Sequence, residues 1–149
     1  KYAKYSTFFF LGRHYMFPTS LEAALKLKEI SYLNACGYPA GEMKHGPIAL
    51  IDANLPVIGL CGNHRTMDKM MSNMMEIKAR GAPIIAFAFP QASEIERIAN
   101  DVVYLPDCLD ELAPIPFSVA TQLLAYHIAR CRKTDIDQPR NLAKSVTVE

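Results

Sequence analysis

Hydrophobic residues in this chain fall into short runs separated by longer segments of mixed polarity. The first three runs are almost uninterrupted, a pattern typical of strands buried on both faces of a parallel sheet. A more mixed segment, Asn34–Tyr38, fits a fifth short strand. The four runs are predicted as strands at Thr7–Leu11, Pro56–Cys61, Pro83–Phe89 and Val102–Leu105.

The segments between these runs carry helix signals. Thr19 and Glu22 have the spacing of a capping box and follow Pro18, so we predict that a helix begins there. Gly81 is suited to the position just after a helix end. The predicted helices are Thr19–Leu33, Thr66–Arg80, Ser93–Ala99 and Pro114–Arg132.

Alternating strands and helices predict an α/β fold, a three-layer αβα sandwich with a mostly parallel sheet of about five strands. Ligands of such folds bind beyond the carboxyl ends of the strands. Here those ends lie near Gly12, Gly62 and Pro90. The pattern stops after Thr134, so we expect one domain over residues 1–134 and a tail over residues 135–149.

Composition narrows the classes of function. The chain has 149 residues, enough for one domain, and its net charge of +1 offers no basic arm for nucleic acid. The longest uncharged stretch apart from a histidine, Leu112–Ala129, is interrupted by prolines and polar residues, which favours a buried helix over a membrane span. We therefore expect a cytoplasmic protein without nucleic-acid or membrane partners.

The spacing of the cysteines and histidines does not predict a metal centre. The sequence has no C-x-x-C pair, and its histidines match no metal-ligand spacing. We expect reduced, buried thiols and neither a metal nor a cofactor. Glycine-rich phosphate motifs are also missing from the sequence. The cysteines are Cys36, Cys61, Cys108 and Cys131.

Three polar features are candidates for chemistry. Glu22, Lys26 and Glu29 share one helix stripe, either as ordinary surface ion pairs or as a cleft in which Glu29 moves protons. His45 lies in a glycine-flanked loop and is either a surface histidine or an acid–base group. Lys144 lies in the tail, which is either frayed or docked so that the lysine forms an imine.

Three motifs resemble the isomerase half of the glucosamine-6-phosphate synthase (glutamine–fructose-6-phosphate aminotransferase) family. The resemblance covers essentially the whole chain and implies the second of two sugar isomerase (SIS) domains, lacking its first helix. The start at Lys1 without an initiator Met fits a piece of a longer enzyme with a glutaminase domain and a first SIS domain upstream. The motifs are Leu25–Tyr32, Gly41–Pro47 and Asp137–Glu149.

The resemblance implies conversion of fructose 6-phosphate and glutamine to glucosamine 6-phosphate and glutamate. Glu29 matches the group that moves a proton between C1 and C2, and Lys26 matches a lysine beside it. His45 matches a ring-opening histidine supplied by the neighbouring subunit of a homodimer. Lys144 matches the imine-forming lysine.

Two tail positions, Ala143 and Arg140, match residues that line the sugar site and the ammonia passage. Cys36 and Asn34 depart from the family pattern near the active-site helix. The resemblance also implies that phosphate anchoring and ammonia supply belong to upstream segments, so the 149 residues alone should be a poor catalyst. A non-catalytic sugar-phosphate-binding module and a free-standing sugar-phosphate isomerase or deglycase are the alternatives.

Overall fold

A computed structural model describes residues 1–142, apart from the side chain of Ser93. Short 3₁₀ helices at Tyr2–Lys4, Ala40–His45, Pro47–Leu50, His64–Thr66 and Ser93–Arg97 connect the main elements. In chain order, those main elements are β1 (Thr7–Gly12), α1 (Met16–Ser31), β2 (Asn34–Pro39), β3 (Val57–Cys61), α2 (Met67–Lys78), β4 (Ile84–Ala88), β5 (Asp101–Tyr104) and α3 (Pro114–Arg132).

The five strands form one parallel sheet in the order β2-β1-β3-β4-β5. This arrangement confirms the predicted α/β class and the three-layer sandwich. Asn34–Tyr38 is indeed a strand, and with Pro39 it forms the edge strand β2, paired to β1 through Thr7 opposite Asn34. All strands run the same way, so their first residues meet at one edge of the sheet and their last residues at the other.

Two cores lie on opposite faces of the sheet, and β1 contributes to both. Phe8 and Phe10 pack on the side of α1 and α3, whereas Phe9 and Leu11 pack on the side of α2. Side chains on a strand alternate between the two faces, so covering both faces leaves no polar position from Phe8 to Leu11. Each fully buried side chain of this size contributes about 1.5–3 kcal/mol.

Helix α1 begins at Met16, three residues before the predicted start. The Thr19 hydroxyl donates to the carbonyl of Tyr15 at 3.0 Å, so it lies inside the helix and does not cap it. Pro18 is tolerated because it lies in the first turn, where a backbone N–H has no helical partner. A tight turn with a positive φ of 53° at His14 precedes the helix.

The predicted short helix Ser93–Ala99 is present as a 3₁₀ helix that ends two residues earlier, at Arg97. The prediction of buried thiols needs correction. All four cysteines are free, but only Cys61 is buried, and burial raises the pKa of its thiol to about 12. Cys131 is exposed on α3.

Among the described residues, none of the helices is both long and apolar enough to cross a membrane. Within residues 1–142, no three His, Cys, Asp or Glu side chains are grouped so that they could bind a metal ion.

Candidate functional site

A groove of about 510 Å³ lies at the edge of the sheet where the strands begin. Its walls come from the end of α1, the start of β2 and the chain after α3. Leu25, Tyr32 and Leu33 supply apolar surface, while Glu29 and Arg140 supply opposite charges. A carboxylate and a guanidinium that share one apolar groove can contact a small polar ligand.

Glu29 reaches this groove as part of the predicted helix stripe. Lys26 Nζ lies 3.0 Å from Glu29 Oε2 and 3.4 Å from Glu22 Oε1, so the structure confirms that the three side chains meet. The hydrogen bond from Lys26 to Glu29 raises the pKa of the Lys26 amine, and the charge of Glu22 adds to the effect. Lys26 therefore stays protonated next to Glu29 at neutral pH.

The chain after α3 is attached to the end of α1. Thr134 Oγ1 donates to the carbonyl of Ile30 at 2.6 Å. The backbone N–H of Arg140 donates to Tyr32 Oη at 2.9 Å, and the Arg140 guanidinium lies 4.2 Å from the centre of the Tyr32 ring. These contacts bring Leu142 into the lining of the groove. Ala143 and Lys144 lie outside the described residues.

His45 lies at the other edge of the sheet, in the 3₁₀ helix that directly follows β2. Its Nδ1 is 2.8 Å from Glu42 Oε2, and its side chain is 72% exposed. Asn34 lines the Glu29 groove and Pro39 ends the same strand, so the two edges are about 17 Å apart at 3.3 Å per residue. One chain thus brings Glu29, Lys26 and Arg140 together, but not His45.

Two cavities lined by described residues lie at the carboxyl edge of the sheet, where the sequence predicted ligand sites. One of about 360 Å³ is lined by Gly12, Arg13 and Glu42. The other, of about 540 Å³, is lined by His64 and the acidic loop Asp107–Glu111. The structure therefore has openings near Gly12 and just after Gly62.

Sequence analysis missed a histidine–carboxylate cluster at the second cavity. His64 Nδ1 lies 2.7 Å from Asp110, His64 Nε2 lies 3.0 Å from Asp107, and the ring stacks on Phe89. The hydrogen bond to Asp110 raises the pKa of His64, and Asp107 adds to the rise. The partners lie more than forty residues apart in the chain, so no local spacing could reveal them.

The contacts of Tyr32 with Arg140 and of Glu42 with His45 were also not predicted, although both residues lie inside motifs that the sequence singled out. Tyr32 directly follows α1, and no spacing rule predicts that it binds a tail more than one hundred residues away. Of the two departures from the family pattern, Asn34 lines the Glu29 groove, and Cys36 Sγ is 3.8 Å from its side-chain oxygen.

Comparisons with known proteins agree with these features. The family model described as SIS domain matches residues 1–130. The chain is 56% identical over 149 residues to glutamine–fructose-6-phosphate aminotransferase (isomerizing) from Thermus thermophilus, covering 100% of this chain and 25% of that protein. It is 55% identical over 142 residues to the enzyme of the same name from Bacteroides thetaiotaomicron, covering 95% and 23%. The chain thus spans about a quarter of the length of these curated relatives.

Solved structures give the same result. The C-terminal domain of glucosamine-fructose-6-phosphate aminotransferase from Francisella tularensis matches with a TM-score of 0.87 and 42% identity, over 92% of this chain and 39% of that one. Glucosamine-6-phosphate deaminase from Thermotoga maritima matches with a TM-score of 0.76 and 26% identity, over 98% and 42%. These matches confirm the resemblance seen in the sequence motifs.

Proposed function

Because the chain belongs to the SIS domain family, we propose that it forms the isomerase end of a glutamine–fructose-6-phosphate aminotransferase. Its substrate is then fructose 6-phosphate, whose ring must open before the reaction, and its product is glucosamine 6-phosphate. Upstream glutaminase and SIS domains of the full enzyme supply ammonia and anchor the phosphate. The 149-residue chain alone is accordingly a poor catalyst.

The observation that carries the proposal is the meeting of Glu29 with the tail in one groove. Leu142 lines that groove, and Lys144 follows it by two residues, a span of at most about 7 Å of extended chain. A lysine side chain attached there is long enough to meet a substrate held against Glu29. In this arrangement Arg140 and Ala143 line the sugar site.

The chemistry assigns complementary roles to Lys144 and Glu29. The Lys144 amine adds to the C2 carbonyl and water leaves, which forms an imine and makes the C1 protons more acidic. Once nitrogen from ammonia has replaced the lysine at C2, the Glu29 carboxylate takes a proton from C1 and returns one to C2. The imine nitrogen gains a proton as the C1 proton leaves, and the C1 hydroxyl loses its proton as C2 is protonated, so C1 becomes an aldehyde and C2 carries an amine. Lys26 holds the Glu29 carboxylate in position through the 3.0 Å contact.

His45 enters this proposal from a second copy of the chain. A separation of about 17 Å between the two sheet edges prevents one chain from placing Glu29 and His45 on the same sugar. A dimer with the two-fold symmetry common among homo-oligomers can bring one copy's His45 to its partner's Glu29 groove. The homodimer is therefore part of the proposed function.

Subunit complementation in the full-length enzyme tests the proposal. Glu29→Gln and His45→Ala are each expected to abolish glucosamine 6-phosphate formation. If the two inactive variants are unfolded and refolded together in equal amounts, half of the dimers are mixed and each has one intact site. About a quarter of wild-type activity should return. Glu22→Gln is the matched control, because Glu22 contacts Lys26 and is not among the groove residues.

A mixture that remains inactive would contradict the placement of His45 in a second subunit. Borohydride reduction with fructose 6-phosphate tests the imine separately. Lys144→Ala should abolish covalent trapping of the sugar, and unchanged trapping would remove Lys144 from its proposed role.

A further inference from the structure

We propose that Glu42 is a positioning residue for His45. The inference rests on the proposed function, in which His45 opens the ring of the cyclic sugar. Glu42 Oε2 lies 2.8 Å from His45 Nδ1, within the distance of a charge-assisted hydrogen bond. In the proposed arrangement the Nδ1–H of His45 donates to Glu42, and Nε2 carries the free lone pair.

The local helix type brings the two side chains together. Residues 40–45 form a 3₁₀ helix, in which side chains three residues apart lie directly above one another. Glu42 and His45 have this spacing. The contact is therefore a direct consequence of the backbone conformation. It fixes the direction of His45 Nδ1 and so orients the imidazole ring.

Two buried side chains and one surface ion pair connect that 3₁₀ helix to the domain. Ala40 and Met43 are each 1% exposed and belong to the core under α2. Lys44 Nζ lies 2.9 Å from Glu76 Oε1 on α2. Ala40 and Met43, three residues apart, thus face the domain, while Glu42 and His45 face outwards.

The first loop after β1 supports the same helix. Arg13 Nη1 donates to Asn73 Oδ1 at 2.9 Å and lies 3.0 Å from the point where a Cβ at position 41 would be. Gly41 therefore lets the guanidinium pack directly against the backbone before Glu42. Gly46, with a positive φ of 147°, turns the chain away immediately after His45.

Folding stability does not explain the Glu42–His45 contact. The two side chains are 64% and 72% exposed, and pairs this exposed contribute little to stability because water screens them. Their fixed geometry is more useful for acid–base chemistry, which depends on which ring nitrogen carries the proton.

Ring opening needs one group that first accepts and then donates a proton. His45 Nε2 takes the proton of the C2 hydroxyl, the bond between C2 and the ring oxygen breaks, and C2 becomes a carbonyl. The electron pair stays on the ring oxygen, which receives the proton from His45. The carboxylate of Glu42 faces the transient imidazolium, so it stabilises this ring during transfer and holds Nε2 towards the sugar.

An open-chain substrate distinguishes this role from a structural one. Fructose 6-phosphate lacking the C5 hydroxyl cannot close its ring and needs no opening step. We compare kcat/KM for both sugars in the full-length enzyme carrying Glu42→Gln, His45→Ala or Glu76→Gln. Glu76→Gln is the matched control, since it breaks the Lys44 ion pair and leaves Glu42 beside His45.

Glu42→Gln should lower kcat/KM for fructose 6-phosphate about tenfold or more and leave that for the open-chain analogue within about twofold of wild type. His45→Ala should show a larger loss of the same kind, about 100-fold. Glu76→Gln should keep the wild-type ratio between the sugars. In ¹⁵N spectra, Glu42→Gln should shift neutral His45 from the Nδ1–H tautomer towards Nε2–H.

Suppose that His45→Ala lowers kcat/KM for fructose 6-phosphate more than for the analogue. The positioning role would then be overturned if Glu42→Gln lowered kcat/KM equally for both sugars, or for neither. If His45→Ala does not discriminate, the ring-opening role of His45 fails and the inference fails with it. A wild-type enzyme that forms no amino sugar would overturn the proposed function itself.

Discussion

Tyr32 and Arg140, more than one hundred residues apart, form the contact that attaches the chain after α3 to the end of α1. The phenol oxygen of Tyr32 accepts the backbone N–H of Arg140, and its ring lies under the Arg140 guanidinium. Tyr32 adopts the left-handed conformation that ends α1, with φ 57°. Tyr32 therefore ends α1 and also holds Arg140 beside the groove that Glu29 lines.

Removing the Tyr32 hydroxyl should loosen this attachment. In Tyr32→Phe the Arg140 amide loses its acceptor but the guanidinium keeps a ring to stack on, so we expect a loss of about 1 kcal/mol in local stability. Hydrogen exchange of the Arg140 amide should become faster. Tyr104→Phe, which removes a phenol hydroxyl bonded to Glu96, is the matched control and should leave that amide unchanged. Equal exchange at Arg140 in wild type and Tyr32→Phe would contradict the attachment.

The Lys26–Glu29 pair should be visible in an NMR titration of the lysine. The hydrogen bond to Glu29 is the largest cause of the raised pKa of Lys26, so Glu29→Gln should lower this pKa more than Glu22→Gln does. Because the folded pKa is raised, the pair's contribution to stability is complete below the ordinary value of 10.5 and disappears as pH rises above the folded value. A larger decrease of the Lys26 pKa in Glu22→Gln than in Glu29→Gln would contradict the assignment of Glu29 as the main partner of Lys26.

His64 should make stability depend on pH near neutrality. Its pKa is raised by Asp110 and Asp107, so its contribution is complete below the ordinary value of 6.5 and is lost as pH rises through the folded pKa. The free energy of unfolding, measured with denaturant, should decrease by about 0.5–1 kcal/mol between about pH 5 and about pH 8. The effect is small because the ring is partly exposed to solvent.

Asp110→Asn should remove most of that decrease, since the largest cause of the shift is the hydrogen bond to Asp110. Asp107→Asn should remove less, and His127→Gln, which removes a histidine elsewhere, on α3, is the control. A decrease that persists unchanged in Asp110→Asn would assign the pH dependence to another group.

Gly12 should not tolerate a side chain. A Cβ there would lie 2.0 Å from the carbonyl oxygen of Met16, and neither backbone can move without displacing the start of α1. Gly12→Ala should lower the free energy of unfolding by about 3 kcal/mol. At Gly41 the nearest group to a Cβ is the flexible end of Arg13 at 3.0 Å, so Gly41→Ala should cost less than about 1 kcal/mol. Similar denaturation midpoints for the two variants would contradict this account.

The sequence pattern predicted the strands well because the central strands are covered on both faces. An uninterrupted run such as Phe8–Leu11 has few alternatives in a chain of this size. The start of α3 at Pro114 matched the prediction, but the start of α1 did not. At Thr19 the capping signal matched the rule, but the turn at His14 started the helix one turn earlier, and turn geometry of that kind depends on the strand before it.

Local spacing was also enough to place Glu22, Lys26 and Glu29 on one stripe, since helix periodicity alone fixes which residues share a face. It could not decide between a solvated face and a cleft. That decision came from Arg140 and Leu142, which reach the groove only because the chain after α3 returns to the end of α1.

By itself, then, the sequence determined the α/β class, the helix stripe of Glu22, Lys26 and Glu29, and the motifs that link this chain to its relatives, because these depend on near neighbours in the chain. Tertiary structure decided that Glu29 and His45 lie at opposite edges of the sheet. The physical reason is the parallel direction of every strand, which separates the residues before β2 from those after it by the full length of the strand.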